Sequence, residues 1–226
     1  MSPVAAHTPI QYIMGSTEFF GLDLLVDERA LIPRPETEFL VQAAIDISIN
    51  QTGSGRTLKI LDLCTGSGNI AISLTKHITN CKIIASDISG AALDLARQNA
   101  DRCGVLSRID FEQSDLFNGI DGFFDIIVSN PPYVARPEFS ELQREVLMEP
   151  RMALDGGEDG LDFYRKIIDE APKHLSPGGY LALEIGYGQL DRISGMMAAS
   201  RGLKFLEARK DQNNIDRIVL AQWINY

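Results

Sequence analysis

Leu58-Lys59-Ile60-Leu61-Asp62-Leu63-Cys64-Thr65-Gly66-Ser67-Gly68-Asn69 is the stretch whose reading decides the fold. Leu58 to Leu63 has the apolar density of a strand, and Cys64 to Asn69 is a glycine-rich turn. An apolar helix, Ile70 to His77, follows. Strand, glycine turn and helix in that order make the mononucleotide half of a doubly wound α/β fold. Gly66 and Gly68 let the backbone approach a ligand closely beside a helix N-terminus. The pattern is G-x-G-x-x-A rather than the G-x-G-x-x-G of dinucleotide enzymes, so the turn alone is weak evidence for a ligand class.

Further strands follow the same plan. Lys82 to Ser86 is a second strand closed by Asp87. That acid falls about twenty residues past the glycine turn, placed to accept hydrogen bonds from ribose hydroxyls. Taken singly, Asp62 and Asp87 read as ordinary helix-capping or loop acids, the more common case for an aspartate. Ala91 to Arg102 is helical, and Ile109 to Gln113 is a third strand leading into Ser114-Asp115-Leu116-Phe117. Phe124 to Ser129 is the fourth, with an Ile-Ile-Val centre that leaves no polar face. Four strands separated by helices indicate a parallel sheet with right-handed crossovers.

The fourth strand stops at Asn130-Pro131-Pro132-Tyr133. Neither proline can donate to a sheet ladder, and Asn130, preceding a proline, is held extended. The result is a rigid loop at a strand's carboxyl end, where open α/β sheets bind ligands. The Asn130 side-chain oxygen and the Pro131 carbonyl are two fixed acceptors, matched to the two donors of an –NH2 group. Tyr133 offers a flat face for a planar amide or base, or else packs as a core aromatic. The loop suits a planar, NH2-bearing substrate and contains no obvious base or nucleophile.

Before the first strand, Pro9 to Pro33 consists of short apolar runs broken by Gly15 and Gly21, which predicts a hairpin rather than a helix. Pro35 opens a helix with acids in its first turn, and Phe39, Leu40, Ala43 and Ile47 keep helical spacing. Gln51 to Arg56 is a polar loop. After the prolines, Ala135 to Pro150 is polar, and Ala153 to Gly160 is an acidic, glycine-rich loop expected over the site. Leu161 to Leu175 is an amphipathic helix, Pro177-Gly178-Gly179 a turn, and Tyr180 to Ile185 a fifth strand. Gln189 to Ala199 is helical. Lys204 to Arg209 and Ile215 to Gln222 are two closing strands joined by a polar hairpin turn.

The chain has 226 residues, 45% of them hydrophobic and 23% charged, which bounds it to an ordinary globular composition with room for one large α/β domain. No eighteen-residue apolar run exists, so no membrane span is expected. Residues Met1 to His7 lack the basic and apolar regions of a signal peptide. Cys64, Cys81 and Cys103 are widely spaced, which indicates neither a zinc site nor a disulfide framework and suits a cytoplasmic location. His7, His77 and His174 are scattered, and no metal constellation emerges. A net charge of −10 argues against a nucleic-acid face and for a basic protein partner or a cationic cofactor.

The glycine turn, the acids after the second and third strands and the NPPY loop all fall at strand carboxyl ends on one edge of one sheet. This order resembles the class I S-adenosylmethionine-dependent methyltransferases, whose seven strands run 3-2-1-4-5-7-6 with the seventh antiparallel. The likeness extends to one family. Pro9-Ile10-Gln11-Tyr12-Ile13, Glu18-Phe19-Phe20-Gly21, Leu31-Ile32-Pro33-Arg34-Pro35-Glu36-Thr37-Glu38, Thr65-Gly66-Ser67-Gly68, NPPY and Gly156-Gly157-x-Asp159-Gly160-Leu161 resemble the HemK/PrmC protein-(glutamine-N5) methyltransferases of peptide chain release factors. NPPY alone is shared with adenine-N6 nucleic-acid methyltransferases, the alternative substrate class.

The family resemblance implies S-adenosylmethionine as cofactor. Thr65, Gly66, Ser67, Gly68 and Asn69 would wrap its methionine part, Asp87 would hold the ribose, and Asp115 and Leu116 would lie against the adenine. Asn130, Pro131, Pro132 and Tyr133 would form the catalytic loop, with Asn130 also near the cofactor. The implied partner is the Gly-Gly-Gln loop of a release factor, met by a monomer without direct nucleic-acid or membrane contact. The implied organisation is an N-terminal segment and β-hairpin over 1–33 and a catalytic domain over 34–226. The helical domain that usually precedes Pro-Ile-Gln-Tyr in the family is absent from this sequence. Near the end, Asn214-Ile215-Asp216-Arg217 stands where the family often has a glycine before Asp-Arg.

Overall fold

A computed structural model describes residues 7–51 and 56–224. Residues 52–55 of the expected polar loop, and 1–6 of the expected leaderless N-terminus, lie outside the described residues.

The chain begins with a one-turn helix, α1 (Ile10–Met14), where the sequence reading expected only a hairpin. Pro9 fixes the entry at φ −52°, and Gly15, left-handed at φ 75°, closes the turn by donating from its N–H to the Gln11 carbonyl at 2.8 Å. A single turn is too short to show a helical period, which hid it in the sequence. The expected hairpin follows, β1 (Ser16–Phe19) antiparallel to β2 (Leu22–Leu25). Helix α2 (Thr37–Gln51) starts two residues after Pro35, which sits in the preceding turn and not in the helix.

The main sheet has seven strands: β3 (Leu58–Leu63), β4 (Cys81–Asp87), β5 (Ile109–Gln113), β6 (Phe124–Ser129), β7 (Leu175–Glu184), β8 (Leu203–Lys210) and β9 (Asp216–Trp223). Their order is β5-β4-β3-β6-β7-β9-β8, with β3 to β7 parallel and β9 antiparallel to both its neighbours. This is the expected 3-2-1-4-5-7-6 order of the class I S-adenosylmethionine-dependent methyltransferase fold. The switch point falls between β3 and β6, where the strand order reverses and ligands of such sheets bind.

Helices α3 (Asn69–His77), α4 (Gly90–Arg102), α5 (Asp162–His174) and α6 (Leu190–Ala199) complete the layers. One core, on the side of α2 and α3, unites Leu40, Ala44, Ile72 and Leu74 with Ile60, Ile83 and Ile126 of the sheet. The other, under α5 and α6, unites Leu61, Leu63, Ile127 and Leu183 with Tyr164, Ile167 and Ile193. Neighbouring strand residues thus feed opposite cores, which is why β3 and β6 read as continuous apolar runs. The hairpin is fastened to α4, whose buried Asn99 accepts from the Leu25 N–H at 2.7 Å and donates to the Leu25 and Ser67 carbonyls.

Pro177-Gly178-Gly179 corrects a second expectation, since it lies inside β7 and not in a turn before it. Phe124 pairs with Leu175 and Ile126 with Tyr180, so Ser176 to Gly179 bulge outward between paired positions. A proline without an N–H is tolerated where no ladder bond is asked of it.

Candidate active site

The carboxyl ends of β3, β4, β5 and β6 open onto one cavity of about 470 Å³, a volume suited to a small-molecule ligand. The β3–α3 turn contributes Thr65, Gly66, Ser67 and Asn69 to its wall, and the end of β4 contributes Asp87. Asp115 and Leu116 line it after β5, and Asn130 and Pro132 after β6. Gly68, Pro131 and Tyr133, also named from the sequence, do not line it. A Cβ on Gly68 would stand 3.0 Å from the Ala96 Cβ, so its bareness serves the packing of α3 on α4. Tyr133 is half-buried and packs against the core under α5, and burial pushes its phenol pKa up.

The turn is held from below by two acids. Asp62 is fully buried; it accepts from the Thr65 hydroxyl at 2.6 Å and from the Ala71 N–H at 3.2 Å, capping the start of α3. Burial raises its pKa to about 7 against these two hydrogen bonds, and the nearby Asp87 charge adds to the rise. Asp87 accepts from the Gly66 N–H through one oxygen and from the Ser89 N–H through the other, both at 2.9 Å. Each carboxylate oxygen keeps a lone pair for a ligand. Burial raises the pKa of Asp87 as well, opposed by those N–H groups. Two non-glycine residues, Cys64 at φ 59° and Leu116 at φ 52°, are held in left-handed backbone, and both line the cavity. Such strain collects where a fold has to present a site.

The Pro-Pro loop is clamped on its far side. Val134 donates to the Leu154 carbonyl, Gly156 to the Val134 carbonyl and Arg136 to the Gly157 carbonyl, at 2.9 to 3.0 Å. Gln189 donates to the Tyr133 carbonyl at 3.0 Å and accepts from the Gly186 N–H at 2.8 Å. The glycine-rich stretch therefore buttresses the Pro-Pro loop, and only its Ala153, Asp155 and Gly157 reach the cavity wall.

Three contributions escaped the sequence reading. The segment Arg29 to Arg34 forms a wall of the cavity. It is tied down by Glu149, which accepts from the Ile32 N–H at 2.9 Å and pairs with Arg34. Gln189 looked only like the start of a helix. Thr37, on the cavity wall, accepts from the Asn130 amide at 3.1 Å. The prolines on either side of Arg34 were a signal of fixed backbone there, but nothing local announces which distant group they meet.

Residues 47–158 match the family model of the methyltransferase small domain. The release factor glutamine methyltransferase of Geobacter sulfurreducens is 42% identical over 217 residues, which cover 95% of this chain and 73% of that one. The chain belongs to the release factor glutamine methyltransferase family. It is accordingly an S-adenosylmethionine-dependent methyltransferase. Among solved structures, a methyltransferase from Pyrococcus furiosus superposes with a TM-score of 0.66 at 21% identity, covering 91% of each chain. Magnesium protoporphyrin IX methyltransferase from Synechocystis, solved with S-adenosylmethionine bound, superposes with a TM-score of 0.59 at 14% identity, covering 83% of this chain and 80% of that one. Both share the fold.

The cavity fits the cofactor of that fold. Asp87, Asp115, Asp155 and Asp162 line it together with Arg29, Arg34, Arg136 and Lys166, a mixed wall that matches a ligand bearing both a carboxylate and cationic groups. The Ser67 hydroxyl, on the same wall, is buried without a partner, an unused polar group where a ligand's polar atoms would lie.

Proposed function

We propose that the protein transfers a methyl group from S-adenosylmethionine to the side-chain amide nitrogen, N5, of the glutamine in the Gly-Gly-Gln motif of a peptide chain release factor. The observation that carries this reading is Asn130: a carboxamide on the wall of the cofactor-sized cavity, at the end of β6, with its nitrogen already engaged by Thr37. Its oxygen is thereby left to accept from an incoming –NH2.

Thr65 to Asn69, Asp87, Asp115 and Leu116 would hold the cofactor, which supplies an electrophilic methyl on a sulfonium. Asn130 Oδ1 on the cavity wall would accept one N–H bond of the substrate amide, and the carbonyl of Pro131, next in the chain but not itself on that wall, would accept the other. An amide nitrogen is a poor nucleophile, because its lone pair is delocalised into the carbonyl. Fixing both N–H bonds aims that lone pair and restrains rotation. Alignment of this kind contributes about 7–11 kcal/mol in favourable cases. The loop offers no general base, and the nitrogen releases its proton to water once it carries the methyl.

The test is transfer of labelled methyl to a release-factor domain carrying the Gly-Gly-Gln loop, against the same domain with that glutamine replaced. Asn130→Ala is expected to lower turnover about 100-fold while leaving most cofactor affinity in place, because the lost contact matters most in the aligned complex. Methylation of the glutamine by Asn130→Ala at the unmutated rate would make the Pro-Pro loop a structural element only.

A further inference from the structure

Thr37 lies in the middle of Pro33-Arg34-Pro35-Glu36-Thr37-Glu38, far from Asn130 in the chain, yet the two side chains meet. Asn130 Nδ2 donates to the Thr37 hydroxyl oxygen, which leaves the hydroxyl hydrogen of Thr37 free to donate onward. The acceptor is at hand. Glu184, the last residue of β7, stands level with Asn130, because β7 pairs with β6 with Leu183 opposite Ser129. Thr37 and Glu184 are each only 1% exposed.

Glutamate is almost never this buried unless paired. Here the Thr37 hydroxyl and the Asn130 side chain both favour its charged form, against the burial that disfavours it. The cation acting on it, Arg217, is itself committed to Asp211 at 3.0 Å, and Glu184 Oε2 has no partner. A buried, incompletely satisfied carboxyl costs stability, so its place directly behind the Asn130 carboxamide calls for a task.

The task follows from donor and acceptor types. Ionised, as it is above about pH 7, the Glu184 carboxylate only accepts, so the end of the Asn130 amide turned toward it is the –NH2. A Thr37 hydroxyl that donates to Glu184 likewise has only its lone pair to offer Asn130. The two together exclude the flipped amide, and Oδ1 faces the cavity. We propose that Thr37 and Glu184 are positioning residues that lock the Asn130 carboxamide with its oxygen presented to the substrate amide. This inference rests on the methyl-transfer reading above. The lock itself is a property of the protein alone and is measurable without turnover.

The first measurement is hydrogen exchange of the Asn130 side-chain –NH2 by ¹⁵N NMR of the full chain, its signal assigned from its loss in Asn130→Asp. Thr37→Val, which keeps shape and removes both hydrogen bonds, is expected to speed that exchange about tenfold or more. Thr37→Ser, which keeps the hydroxyl, is expected to restore it. The second measurement is steady-state methyl transfer. Thr37→Val and Glu184→Gln are expected to lower kcat about 10- to 100-fold with both KM values changed less than about threefold, and Thr37→Ser to recover most of kcat. Should Thr37→Val not fold, the isosteric Glu184→Gln carries both tests.

Unchanged exchange of the Asn130 –NH2 in Thr37→Val and Glu184→Gln overturns the lock. So does a Thr37→Ser variant that loses kcat and cofactor affinity together with Thr37→Val, since that is the mark of a merely structural residue. If the unmutated enzyme leaves the glutamine unmethylated, the functional reading falls, and the exchange measurement still decides the lock.

Discussion

Asp62 and Glu184 are two buried acids beneath the site, and below about pH 7 both hold protons that an unfolded chain would already have lost. Burial lifts each to about 7, from 3.8 for Asp62 and 4.5 for Glu184. An acid with a raised folded-state pKa stabilises the fold below its unfolded pKa, and that contribution is lost as pH climbs through the folded value. The contribution of these two groups to stability is therefore expected to fall between about pH 4 and pH 7. Asp62→Asn removes one of them, so urea denaturation should show a shallower decline over that window. An undiminished slope would mean that Asp62 is ionised throughout. Asp87 is a different case, because its spare lone pairs face the cavity. Asp87→Ala is expected to weaken S-adenosylmethionine binding by about 1.5–3 kcal/mol, the worth of a hydrogen bond to a charged group, as read by calorimetry. Unaltered affinity would move the ribose away from β4.

The glycine-rich stretch after the prolines acts as an element, and its bare backbone is what lets it do so. A Cβ on Gly156 would stand 2.7 Å from the Tyr133 Cα and 2.8 Å from the Tyr133 carbonyl carbon. Gly156→Ala is expected to push the two chains apart, costing about 1–3 kcal/mol of stability and lowering kcat more than cofactor affinity. Thermal denaturation with cofactor calorimetry checks both parts, and an unaffected kcat would show that the buttress does not set the loop. At this scale the sequence was readable where a signal is local. Ile109–Gln113 and Phe124–Ser129 have the bounds their apolar runs predict, and the glycine turn leads into α3 as expected. It was not readable where structure depends on distant partners. The turn at Pro177 became a bulge because β6 pairs with residues on both sides of it. Thr37 and Gln189 reach their partners in the Pro-Pro loop across 93 and 56 residues, a separation that no periodicity encodes.

Across the whole molecule, the sheet gathers at one edge what the chain scatters over most of its length. The glycine turn, Asp87, Asp115 and Asn130 come from four successive strand ends, and the parallel order of β5, β4, β3 and β6 brings them around one cavity. Segments outside the sheet close that cavity: Arg29 to Arg34 from one side, and Pro150 to Gly157 from the other. A net charge of −10 suits a basic protein partner better than a nucleic acid, though the NPPY loop by itself serves an amide or an adenine. One competition decides between them. The protein is incubated with S-adenosylmethionine, a release-factor domain bearing the Gly-Gly-Gln loop and an adenine-rich oligonucleotide in the same tube, and fragment mass spectrometry locates the methyl. The expected result is a single methyl on the side-chain nitrogen of that glutamine and none on the oligonucleotide. A methyl on adenine, with the glutamine unmodified, would contradict the account.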